Sequence, residues 1–288
     1  MVALLELEDR RTRVTIAPDL GGGVAGMWAK TDAGDVPVLR PLAGDRPFDL
    51  ASNVLVPFSN RIGGAGFVFE GQHFDVPPNL DGEGLPIHGD GFQRRWQVEV
   101  SDPSRVVLRL DDGAIGPWHY SARLVYSLKN GAFGTQLEIT NTGPRLPFGG
   151  GFHPWLPRFA DTKLWFHAET VWLQDDRFLP SDEVAASGDW DYLTPRALPE
   201  GLVNNAFCNW IGPATVLQPT LGIAVTIVSP MDVAIVYSPS ASADFFCFEP
   251  VSHAVDAHNM PGQPGLIALD RGATVALSMS IDWQGLQQ

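Results

Sequence analysis

The sequence predicts an all-β protein, a β-sandwich built from large antiparallel sheets. Three observations carry this. Apolar and polar residues alternate with period two, most fully at the C-terminal end, where Val275, Leu277, Met279, Ile281 and Trp283 interleave with Thr274, Ala276, Ser278, Ser280 and Asp282. That period sends one set of side chains to a core face and the other to the opposite face. Turn formers are abundant, with 30 Gly and 24 Pro, and 9 Trp and 16 Phe supply residues favoured in strands.

Taken in order, residues 13–16 alternate as a short strand. Residues 53–96 pass through a short hairpin and a Pro/Gly/Asn-rich loop. Residues 105–111, 123–128 and 136–141 are strand candidates separated by Gly, Asn or Pro turns, and residues 222–227 alternate again. Helix signals are weak: Ser181, with Asp182, Glu183 and Val184 after it, is placed to cap one short turn. Residues 76–79 and 188–205 read as loop insertions. With no internal repeat, low-complexity tract or composition shift, residues 1–288 are expected to form a single domain.

A hydrophobic content of 44% with 18% charged residues is that of a globular protein. The net charge of -14 disfavours nucleic acid and anionic membrane surfaces as partners, since both need a basic face. Cys208 and Cys247 make no disulfide framework, and Cys247, in an apolar run, reads as a small buried hydrophobe. No basic segment followed by an apolar core opens the chain and no apolar run is long enough to span a bilayer, so a cytoplasmic location is expected. Oligomeric state leaves no signal.

Five segments could carry chemistry. Asn60-Arg61-Ile62-Gly63-Gly64 presents an arginine from a turn, and His88-Gly89 follows in the next loop. Gly and Asn tolerate backbone angles that hold a side chain out of a sheet, although Gly-rich turns with a solvated histidine are also ordinary. Asn141-Thr142-Gly143 precedes a Gly-rich entry to His153-Pro154-Trp155, where the histidine is equally readable as a buried group bonded to backbone. Asn204 stands in Leu202-Val203-Asn204-Asn205-Ala206-Phe207. Glu249 follows an aromatic run and precedes Pro250. A carboxylate desolvated among rings has its pKa raised toward the working range of a general base, whereas a strand-end glutamate simply meets water. Trp96, Trp118, Trp155 and Trp210 suit the apolar faces of sugars, or fill a core.

These motifs, in this order, resemble the aldose 1-epimerase (galactose mutarotase) family: an NRIGG turn, a His-Gly loop, a strand ending in Asn-Thr-Gly, a His-Pro-aromatic segment and a Glu-Pro segment with a short polar stretch after it, here Asp256-Ala257-His258-Asn259. The resemblance runs from the Ile16-Ala17-Pro18 strand to the last strand. It implies a galactose mutarotase-like supersandwich fold and interconversion of the α and β anomers of a free sugar, with no cofactor and no metal. It implies Glu249 as base and His153 as acid, with Arg61, His88, Asn60 and Asn204 binding the sugar. Asn204 departs from the pattern, since the family has an aspartate there that binds hydroxyls. An amide is neutral and donates as well as accepts, so a poor galactose mutarotase is expected, suited to another hydroxyl pattern or an acidic sugar, unless Asp189 or Asp191 swings in.

Rival readings follow from the same residues. A non-catalytic carbohydrate-binding protein keeps the aromatics and Asn204 but needs neither His153 nor Glu249. A glycoside hydrolase needs two carboxylates, and only Glu249 is placed. A zinc site from His88, His153 and Glu249 is chemically conceivable, but no compact His-x-x-x-His spacing is present.

Overall fold

A computed structural model describes residues 3–286. Two large sheets, of 11 and 9 strands, hold nearly all of the regular structure, and every strand pairing in them is antiparallel. A contiguous apolar cluster draws on both, with Phe152, Phe207, Phe246 and Phe248 from the larger sheet and Leu124, Leu137 and Ile281 from the smaller. The architecture is a β-sandwich, as the alternation predicts.

The expected strands are present and longer. Residues 13–16 lie in Thr12–Ala17, and residues 105–111, 123–128 and 136–141 lie in Arg105–Ile115, Trp118–Lys129 and Ala132–Asn141. The C-terminal alternation is the strand Thr274–Gly285. The short hairpin is Gly66–Phe69 paired with Gln72–Asp75.

Two expectations are corrected. Ser181 caps no helical turn: Pro180–Ala185 is a strand paired with Thr170–Gln174. A segment this short has no helical bonds to offset its nucleation, and a neighbouring edge supplies a ladder instead. Residues 188–205 are not a single loop. They contain a 3₁₀ turn, Gly188–Trp190, and end inside the strand Val203–Cys208, so Asn204 and Asn205 are strand residues.

The middle of the larger sheet runs Ser52–Leu55, Gly151–Pro157, Phe245–Val251, Val233–Ser238, Val203–Cys208. Alternation along these strands divides them cleanly. Phe152, Leu156, Phe246, Phe248, Ala234 and Val236 face the core between the sheets. The alternate residues, among them His153, Trp155, Ile235 and Cys247, face outward and are buried as well.

Candidate active site

Register brings the outward residues together. The pairing that sets Gly151 against Val251 and Trp155 against Cys247 puts His153 level with Glu249 on adjacent strands. Tyr237 lies across from Cys247 on one side and from Asn204 on the other. Directly opposed residues on one face of a sheet are close enough to interact. The result is a polar floor, and the loops carrying Asn60, Arg61 and His88 form the wall of a pocket of about 320 Å³ over it. All six candidate residues, Asn60, Arg61, His88, His153, Asn204 and Glu249, line this pocket. Its size is at the lower end for small-molecule sites.

His153 Nε2 lies 3.3 Å from Glu249 Oε1. Both side chains are almost completely buried, and neither His153 Nδ1 nor Glu249 Oε2 has a protein partner. Burial disfavours both charged forms. It pushes Glu249 well above the usual carboxylate range, against the pull of Arg61. It pushes His153 down to about 3, with the Arg40 charge adding to the effect. Trp155 stacks on His153 at 5.0 Å between ring centres, and the Arg40 guanidinium lies 3.6 Å from the Trp155 ring. The imidazole is thus fixed by a layer of rings while its Nε2 edge faces the carboxylate.

His88 sits at φ +60 and is also buried. Its Nδ1 accepts the Asn60 backbone N–H at 3.0 Å. Burial first, then the neighbouring His153, Arg61 and His253, hold its pKa well below the usual value. A neutral ring whose Nδ1 accepts carries its proton on Nε2, so His88 offers the pocket an N–H donor.

A positive φ at a non-glycine residue needs support. Asn79 provides it: its side-chain amide donates to the carbonyls of Ile87 and Gly89 at 2.9 and 2.7 Å and accepts the Ile87 N–H at 2.8 Å. Gly89 is required beside it, because a Cβ there would meet the Val56 carbonyl oxygen at 1.9 Å. Asp90 then ties the loop to the second sheet, accepting from Tyr120 Oη at 2.6 Å and Arg94 Nη1 at 3.0 Å. Replacing Asn79 by alanine removes three hydrogen bonds and is expected to cost about 1.5–4.5 kcal/mol. Urea unfolding of the two proteins measures it, and a change below about 0.5 kcal/mol would mean the loop stands without this amide.

The Arg61 turn is held from the other side. The Asp256 N–H donates to the Arg61 carbonyl at 3.0 Å, and the Asp256 carboxylate accepts the Gly63 N–H at 2.7 Å. His253 Nε2 accepts the Ser59 N–H at 3.1 Å. The polar stretch after Glu249 therefore braces the turn. Arg61 itself donates from Nε and Nη2 to both oxygens of Glu83, at 2.9 to 3.2 Å.

Other lining residues carried no motif. Glu83 stands in a loop between two glycines, Tyr237 on a strand that reads as plain core, and Phe48 and Phe178 on connections. The Gly-flanked acid between Arg61 and His88 is the one signal that could have been followed. Of the four tryptophans, Trp155 lines the pocket, while Trp96, Trp118 and Trp210 belong to the core. Asn141 is buried as well, bonding Pro144, Leu269 and Gly143, so its work is to end a strand.

A metal would find a different set from His88, His153 and Glu249, since His88 Nδ1 is taken by Asn60. His153, Cys247 and Glu249 each bring one ligand atom within 4.8 Å of the others. Burial pushes the Cys247 thiol and the Glu249 carboxyl well up, so a metal would have to displace both protons in a desolvated site.

The family model described as aldose 1-epimerase matches residues 3–282. The uncharacterized protein YphB of Escherichia coli K12 is 33% identical over 279 residues, 92% of this chain and 94% of YphB. A crystal structure of an Escherichia coli K12 protein, named as a candidate aldose 1-epimerase, superposes with a TM-score of 0.93 at 30% identity, covering 99% of this chain and 100% of that one. An aldose epimerase homologue from C. elegans shares the fold, with a TM-score of 0.86 at 16% identity over 100% of both chains.

Proposed function

Because the chain belongs to the aldose 1-epimerase family, we propose that it interconverts the α and β anomers of a free aldose by general acid–base ring opening and closing. The observation that carries this reading is the buried His153–Glu249 pair on the floor of the pocket, Nε2 to Oε1 at 3.3 Å.

Ring opening must move two protons. Glu249 takes the proton of the C1 hydroxyl as the C1–O bond acquires double-bond character. The C1–ring oxygen bond breaks, and His153 delivers a proton to the departing ring oxygen. The aldehyde turns about C1–C2, and closure on its other face returns both protons. Burial raises Glu249 well above its ordinary range and lowers His153 to about 3, so the two values pass each other and the resting pair holds its proton on Glu249. Ring opening in this direction therefore needs that proton to pass first from Glu249 to His153 across their 3.3 Å contact, which leaves a carboxylate as base and an imidazolium as acid. His88 donates its Nε2–H to the sugar, while Asn60, Asn204 and Arg61 line the rest of the pocket.

Freshly dissolved single-anomer sugars, followed by polarimetry or NMR, test this. At least one aldose in a panel of hexoses, pentoses and deoxy sugars is expected to equilibrate faster than its buffer control without added metal or cofactor. If sugars bind and none equilibrates faster, the protein is a carbohydrate-binding module on this fold.

A further inference from the structure

We infer that Glu83 sets the substrate specificity of this pocket: held in place by Arg61, it accepts hydrogen bonds from sugar hydroxyls and closes the site to anionic sugars. The inference rests on the epimerase reading of the same pocket. Among the described residues, two carboxylates line it, Glu83 and Glu249. Glu249 is 2% exposed and faces His153, whereas the Glu83 side chain is 29% exposed. A polyol donates many hydrogen bonds, and a carboxylate is the strongest acceptor a side chain offers. Glu83 is the carboxylate within the substrate's reach that the proton transfers do not use.

Its geometry is preset. Arg61 Nε and Nη2 grip both of its oxygens at 3.2, 2.9 and 3.0 Å, which orients the carboxylate along the pocket it lines while leaving it part-exposed there. The other candidate for holding hydroxyls, Asn204 on the strand Val203–Cys208, is neutral. Asp189 and Asp191 do not line the pocket, and Asp191 Oδ1 accepts the Leu193 N–H instead. Asn204 alone would admit an acidic sugar, but charge argues otherwise. Arg61 is the one Lys or Arg side chain among the described lining residues, and Glu83 neutralises it. A uronate entering the pocket meets a cation already paired and a carboxylate of its own sign.

Glu83→Gln tests this without changing side-chain size. Anomer exchange is measured by NMR with D-galactose against D-galacturonate and D-glucose against D-glucuronate, and thermal melting reports folding. The variant is expected to raise KM for the neutral sugar by about tenfold, with kcat changed less than about threefold, since the lost bonds are made equally before and during ring opening. The kcat/KM ratio of uronate to neutral sugar is expected to rise by about tenfold or more as Arg61 is released. That ratio is taken on one sample and does not depend on the folded fraction. A ratio unchanged within about twofold, or a wild-type protein that already prefers the uronates, overturns the inference. A wild-type protein inactive on every sugar overturns the epimerase reading instead, so the two failures are distinct.

Discussion

Replacing Glu249 by glutamine is expected to lower kcat by about 10²–10⁴-fold, the usual contribution of a general base. The amide has the carboxyl group's shape and cannot take the C1 hydroxyl proton. Because Glu249 is buried with Oε2 unpartnered, the substitution removes an ionisable group rather than a structural bond. The same variant carries a stability signature. The folded-state pKa of Glu249 is raised well above its ordinary value by burial. Between those two values the unfolded chain releases a proton that the folded protein retains. Wild-type stability is therefore fully present below the ordinary carboxylate range and is lost as pH rises through the raised value. Glutamine does not titrate, so Glu249→Gln should gain in melting temperature over wild type as pH increases. A variant with a near wild-type rate removes Glu249 as base; one with equal pH dependence of melting removes its buried, proton-retaining character.

His153→Asn is expected to lower kcat by a similar factor, about 10²–10⁴-fold, with KM changed much less. Asparagine is too short to place a donor where Nε2 lies, 3.3 Å from Glu249. The acid limb of the stability curve reports separately. Burial pushes His153 from 6.5 to about 3, and His253, bonded to Ser59, to about 4. Below pH 6.5 the unfolded chain protonates these rings and the folded protein does not. Their contribution is present above that value and is lost as pH falls toward the depressed ones, by roughly a few kcal/mol per ring. His153→Asn should therefore lose less stability than wild type between about pH 6.5 and 3. Equal acid unfolding midpoints for the two proteins would show that His153 is charged in the fold.

The residues behind these effects are legible in the sequence to different degrees. Arg61, His88, His153 and Glu249 stand out in the sequence because each is flanked by Gly, Asn or Pro that aims a polar side chain in a locally readable way. Asn204 was legible as a residue but not as a strand residue, because the ladder it joins lies on Val233–Ser238, far along the chain. Ser181 carries a local capping pattern, but the strand edge of Thr170–Gln174 just before it outweighs that pattern. Glu83, Asn79 and Tyr237 were not legible as site residues. Only its two flanking glycines mark Glu83, and its partner Arg61 is 22 residues away.

By itself the sequence determined the alternation that makes a two-sheet sandwich, the glycines and prolines that break it, and the order of polar residues in loops and strand ends. Only the tertiary structure decided that Glu249 faces His153 rather than water, that three of four tryptophans serve the core, and that Arg61 is already paired with Glu83. The physical reason is one of range. Periodicity and turn chemistry act over a few residues and can be read in a window. The sign and strength of a site's electrostatics come from burial and from partners brought close by sheet register, and a one-residue slip in that register would send His153 or Glu249 to the opposite face.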